Sequence, residues 1–160
     1  MLAAAAMPVT AAARAAAPME VRLSAATASI NGNLRLKGSG EQATIHFWNR
    51  KEDRIVWTTD IPSPGTYRLR LRYALAPVMR GGAMAVTAGN DRLVANAVPS
   101  RDWNDFVTRS LGSARFGKAG RVMVSLRAAQ LPAGDGAALP DVAWLSLERI
   151  GARAPHRRPG

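Results

Sequence analysis

The chain has 160 residues, 48% of them hydrophobic, with 14 glycines, 10 prolines and no cysteine, which suits one compact core and excludes a disulfide framework, a thiolate metal site and a thiol nucleophile. The formal charge is +11, but only Lys37, Lys51 and Lys118 are lysines, and residues 20–150 carry +7 once the tail arginines Arg14, Arg153, Arg157 and Arg158 are set aside. There is no dense basic cluster interleaved with aromatics and no apolar run near the ~20 residues that cross a bilayer, which argues against nucleic-acid binding and against membrane insertion.

Residues 1–19 are mostly alanine. Ala-x-Ala signatures at Ala13-Arg14-Ala15 and Ala15–Ala17 suit the remnant of a secretory signal, whereas the missing positive start and Pro8 suit a disordered alanine-rich leader. The export reading predicts a periplasmic or secreted protein.

From residue 20 onward the apolar pattern has period two. It predicts strands at 21–25, 43–48, 55–61, 65–74, 83–88, 93–98, 106–111, 121–128 and 143–150. Turn signals separate them, among them Asn31-Gly32-Asn33, Gly38-Ser39-Gly40, Gly81-Gly82, Gly89-Asn90-Asp91 and Gly134-Asp135-Gly136. Many strands at this spacing without helices predict an all-β sandwich or barrel over residues 20–150. The tail 151–160 is rich in Gly, Pro and Arg, and disorder is expected there.

The clearest strand reads "YRLRLRY". Tyr67, Leu69, Leu71 and Tyr73 share one face; Arg68, Arg70 and Arg72 share the other. A one-residue slip would bury three charges, so the apolar side faces inward and the arginine row outward.

Enzyme chemistry has little to work with. His46 falls in a strand pattern and His156 in the basic tail, and no Ser-His-Asp or His-Glu-x-x-His arrangement exists. The close carboxylates Glu52-Asp53 and Asp102/Asp105 lie in predicted loops, where capping is their simpler role. The reading is therefore non-catalytic, with no cofactor.

The tryptophans say more. Trp57 alternates with Ile55 and is expected in the core; Trp144 in the last strand is expected to pack in the core or between strands. Trp48 ends a strand at a charged loop. Trp103 lies in the polar loop "PSRDWNDF", either as a plug over one end of the core or as an exposed platform. A flat indole can lie against the C–H face of a sugar ring while neighbouring Asp, Asn and Arg bond its hydroxyls.

The order of these pieces resembles carbohydrate-binding modules of families 6 and 35. "IHFWNRKEDRIVWTTDIPSPGTYRLRLRYA" is similar to their aromatic, charged loop, Trp and Pro-x-x-Gly-x-Tyr segment. "GGAMAVTAGNDRL" is similar to the hairpin that follows, "SRDWNDFVTRSLGSARFGKAGRVMVSL" to their Trp-x-x-Phe segment, and "LPDVAWLSLERI" to the closing strand. The resemblance spans about residues 20–150 and implies a galactose-binding-like β-sandwich with jelly-roll topology. It also implies a sugar site among the loops at one end. Trp103 matches the stacking tryptophan, Trp48 (or else Phe47) a second aromatic, and Asp141 a polar residue before the last strand. Arg101 and Asn104 flank Trp103 as further polar contacts. The family's structural calcium is not expected, because its ligand positions read Ala25-Ala26 and Ala143.

The sequence thus predicts a non-catalytic module that binds an oligo- or polysaccharide beside a partner glycoside hydrolase or sulfatase. The competing readings are a structural or protein-interaction sandwich without a sugar ligand, and weak polyanion binding through the arginine face.

Overall fold

The computed structural model describes residues 19–150. The leader before Met19 and the tail after Ile150, for which export and disorder are expected above, lie outside the described residues. Within them the chain forms β1 (Glu20–Ser24), β2 (Ser29–Asn31), β3 (Arg35–Lys37), β4 (Thr44–His46), β5 (Arg54–Ile61) and β6 (Gly65–Ala74). It continues with β7 (Ala83–Ala88), β8 (Asp91–Asn96), β9 (Val107–Phe116), β10 (Gly120–Gln130) and β11 (Asp141–Ile150).

One sheet has the order β3-β4-β11-β6-β9, with β1 also paired to β11; the other runs β2-β5-β10-β7-β8. All pairings are antiparallel. The chain changes sheet at every connection except β3 to β4 and β7 to β8, the jelly-roll course.

The predicted ranges 65–74 and 83–88 agree residue for residue with β6 and β7. Two short strands, β2 and β3, carry too few residues for alternation to register. β9 runs on to Phe116, well past the predicted end at Leu111. The cause is a bulge: the pairing of β6 with β9 shifts between Leu69 and Arg70, opposite Leu111, and Gly112 beside it has φ 127°. The extra residue breaks the two-residue period and hides the second half of the strand.

The core lies between the sheets. Tyr67, Leu69, Leu71 and Tyr73 of β6 are buried and meet Ile55, Trp57, Met84, Val86, Val124 and Leu126 of the other sheet. Burial of each β6 side chain is worth ~1.5–3 kcal/mol before entropy. Both tyrosine hydroxyls are satisfied, Tyr67 donating to the Ser63 carbonyl at 2.7 Å and Tyr73 to that of Val98. Trp57 is in the core as expected, its Nε1–H donating to the Ser24 carbonyl at 2.8 Å. Trp144 is not in the core. A register shift between Val142 and Trp144 turns it to the outer face of the sheet, where the Arg22 guanidinium lies 3.9 Å from its ring centroid.

Candidate functional site

The site grows from the end of the sheet where β4 stops and β11 begins. Asp141, the first residue of β11, pairs with Ala74, the last of β6. After His46 the chain takes a conformation that alternation does not anticipate: Phe47 has φ 67°, the left-handed region that side chains with a Cβ rarely adopt. Ile45 points inward and His46 is half-buried. The left-handed residue then reverses the alternation, so that Phe47 points outward at 51% exposure and Trp48 turns into the core at 0%. The Trp48 carbonyl accepts the Leu139 N–H at 2.7 Å, which ties the loop before β11 to this turn.

Trp103 is held by a loop with its own hydrogen-bond framework. The buried Ser100 hydroxyl accepts the Leu75 N–H at 3.1 Å and donates to the Asp102 carbonyl at 3.1 Å. Asp102 Oδ1 accepts the Asn104 N–H at 2.7 Å, and Asp105 Oδ2 accepts the Arg101 N–H at 3.0 Å. The loop-capping role expected of Asp102 and Asp105 is the one they perform. Trp103 is half-buried: it packs on the core from one side and opens to a cleft on the other.

That cleft has a volume of ≈ 310 Å³. It is lined by Lys37, His46, Phe47 and Asn49 from the ends of β3 and β4 and the turn after them, by Met79 and Trp103 from the loops after β6 and before β9, and by Gly136, Ala138 and Asp141 from the segment that leads into β11. Apolar walls with a few polar groups are the ordinary make-up of a small-ligand site.

The polar groups are coupled. His46 Nδ1 lies 2.9 Å from Asp141 Oδ2, and His46 Nε2 lies 2.7 Å from Thr44 Oγ1. Burial pushes the Asp141 carboxyl up to about 7, with Lys37 opposing the shift. Burial, and then the charge of Lys37, lowers the imidazole below its ordinary value. Between the ordinary imidazole value of 6.5 and about pH 7, therefore, Asp141 carries its proton and His46 is neutral. Asp141 O–H donates to Nδ1, and Nε2–H donates to Thr44, which leaves one Asp141 oxygen free to accept from a ligand.

Of the five residues expected from the sequence, Trp103 and Asp141 line the cleft. Arg101 and Asn104 do not; both are exposed and donate their backbone N–H groups within their own loop. Trp48 is corrected outright, since a side chain with no exposed surface offers no wall to a ligand. Its neighbour Phe47, the other aromatic the resemblance allows, lines the cleft instead. His46, Lys37, Asn49 and Met79 were missed. Nothing in single-sequence alternation marks a left-handed phenylalanine, and His46 looked like an ordinary strand residue. A calcium ion finds no fit at the positions the resemblance points to. Ala25 is a buried methyl group, and no group of three His, Cys, Asp or Glu side chains able to hold a metal occurs among the described residues.

No protein-family model and no curated protein matches the sequence. Solved structures do match. A family 35 carbohydrate-binding module from Clostridium thermocellum is 20% identical, with a TM-score of 0.64, over 81% of this chain and 97% of that one. The chain has the fold of carbohydrate-binding modules of families 35 and 6. The C-terminal family 6 module of a marine laminarinase from Zobellia galactanivorans aligns with a TM-score of 0.66 and 15% identity, over 82% of this chain and 100% of that one. A GH26-CBM35 β-(1,4)-mannanase from Podospora anserina aligns with a TM-score of 0.64 and 16% identity, but this chain spans only 29% of its length. That fold accounts for the two antiparallel sheets packed as a sandwich.

Proposed function

We propose that the protein is a non-catalytic carbohydrate-binding module that holds a sugar between Phe47 and Trp103. One observation carries this reading. Two aromatic side chains from separate loops line one cleft, and one of them is held outward by a left-handed backbone. Strain of that kind collects at ligand sites. Two aromatic rings at one cleft suit a pyranose, whose two faces are apolar and whose rim is polar. Asp141, His46, Asn49 and Lys37 supply rim partners at the same cleft. The matched structures, carbohydrate-binding modules among them, favour the same ligand class.

The non-catalytic reading rests on the carboxylates. Glycoside hydrolysis ordinarily needs two acids flanking one bond, and Asp141 is the single carboxylate lining this cleft. Export, and service beside a glycoside hydrolase or sulfatase, complete the proposal. No helix among the described residues is long and apolar enough to cross a membrane.

Affinity electrophoresis against a panel of neutral polysaccharides tests the site. Trp103→Ala and Phe47→Ala should each abolish retardation while melting cooperatively. A glycan that binds both variants as well as the parent would sink the assignment.

A further inference from the structure

The arginine row of "YRLRLRY" is part of a larger pattern. On the outer face of its sheet, β6 and β9 pair an arginine with a hydroxyl residue on four rungs: Arg72 with Thr108, Arg70 with Ser110, Arg68 with Ser113 and, in reverse, Thr66 with Arg115. Arg68 to Arg72 spans ~13 Å by strand rise. Glu148 of β11 sits 3.7 Å from Arg68 and 3.1 Å from Arg70. Among the described residues no carboxylate forms an ion pair with Arg72 or Arg115.

Both ends of the row lead somewhere. Arg72 is two residues before Ala74, the partner of Asp141 in the aromatic cleft. At the far end Arg115 lines a second cleft of ≈ 400 Å³, with Lys118 and Arg121 also on its wall and no carboxylate in its lining. Arg121 meets Asp60 at 3.8 Å, but both are largely exposed and such a pair holds little. A track of arginines therefore runs along this face from the Asp141 end of the sheet to the basic cleft.

We infer that this outer face is a second binding surface, and that its ligand is a sulfated polysaccharide. The rungs choose the anion. A guanidinium fork satisfies two oxygens, which is all a carboxylate has, whereas a sulfate ester presents a third to the hydroxyl beside it. The polymer class rests on the sugar reading of the aromatic cleft, because the track begins at the same end of the sheet. Single-stranded nucleic acid wants exposed aromatic platforms, and the one tryptophan on this face, Trp144, is covered by Arg22.

The test is binding of the full chain to heparin across a salt titration, with polygalacturonate and duplex DNA as controls. Heparin should bind most tightly, with affinity falling steeply as salt rises. The triple variant Arg70→Gln, Arg72→Gln, Arg115→Gln should bind heparin roughly tenfold or more weakly, with a log–log salt slope smaller by about three. Its melting midpoint and its binding of neutral glycans should be unchanged. Glu148→Gln frees Arg68 and Arg70 and should strengthen heparin binding severalfold, which a purely structural ion pair would not do. Three results overturn the inference: no salt-dependent heparin binding, a folded triple variant that binds like the parent, or polygalacturonate or DNA bound as tightly as heparin. Failure of the aromatic cleft shows separately, as loss of neutral-glycan binding with the heparin slope intact.

Discussion

Gly32 packs so closely on Asp53 that a Cβ at position 32 would stand 2.1 Å from Asp53 Oδ1. The carboxylate needs that space. It is fully buried and accepts backbone N–H bonds from Asn33 at 2.7 Å, Arg50 at 3.0 Å and Asn49 at 3.2 Å. One side chain thus fastens the β2–β3 connection to the loop that follows Phe47 and carries Asn49 to the cleft.

Loss of this clamp should be costly. Asp53→Ala leaves three N–H groups without their acceptor and should lower stability by about 3 kcal/mol or more in urea denaturation. Gly32→Ala meets both the clash and a φ of 102°, and should lose a comparable amount. A variant of either kind with an unaltered urea midpoint would show that the carboxylate does not organise these loops.

Ser100 offers a milder version at the other wall. Ser100→Ala removes the acceptor of the Leu75 N–H and the tie to the Asp102 carbonyl. We expect a loss of about 1–2 kcal/mol. Neutral-glycan affinity should fall by more than that stability change alone explains, because the loop aims Trp103. Equal affinity in isothermal titration calorimetry would separate the anchor from the site.

The pH dependence has a definite sign. Asp141 holds its proton up to about pH 7 in the folded chain but only to its ordinary value of 3.8 when unfolded. Its contribution is fully present below about 3.8 and is lost as pH rises to about 7, on the order of 4 kcal/mol for the whole window. His46 acts the other way: its lowered value makes the fold lose stability as pH falls below 6.5. Asp141→Asn removes the first effect alone. The stability of Asp141→Asn relative to the parent should climb between pH 4 and pH 7 and then level off. A flat difference across that range, from chemical denaturation at each pH, would mean that burial does not hold the proton.

Most of the scaffold was legible because burial enforces the two-residue period. β6 could be drawn from "YRLRLRY" since any slip would bury guanidinium groups. What escaped were the departures from that period. The bulge at Leu111 concealed half of β9, and the shift at Val142–Trp144 left Trp144 half-buried under Arg22 of the neighbouring strand, the inter-strand alternative to the core. The left-handed Phe47 exchanged the roles of two adjacent aromatics. Trp103 and Asp141, which the residue order of the resemblance picked out, both line the cleft. His46 could not be picked out in this way, because its significance lies in a partner almost a hundred positions away.

Phe47 gives the sharpest test of the site. Its left-handed backbone costs of order 1–3 kcal/mol for a residue with a Cβ, and half of its ring stays in water. Neither property helps the fold. Phe47→Gly should therefore raise stability by up to about 1 kcal/mol, because glycine adopts φ 67° without strain. The same change removes one wall of the cleft, so neutral-glycan binding should fall at least tenfold. Trp48→Ala is the opposite case: it empties a fully buried site and should cost about 3–5 kcal/mol. Paired melting and calorimetric titration of Phe47→Gly read both quantities from one protein. A variant that is less stable, or that binds sugar as before, would mean that the left-handed turn serves packing and not a ligand.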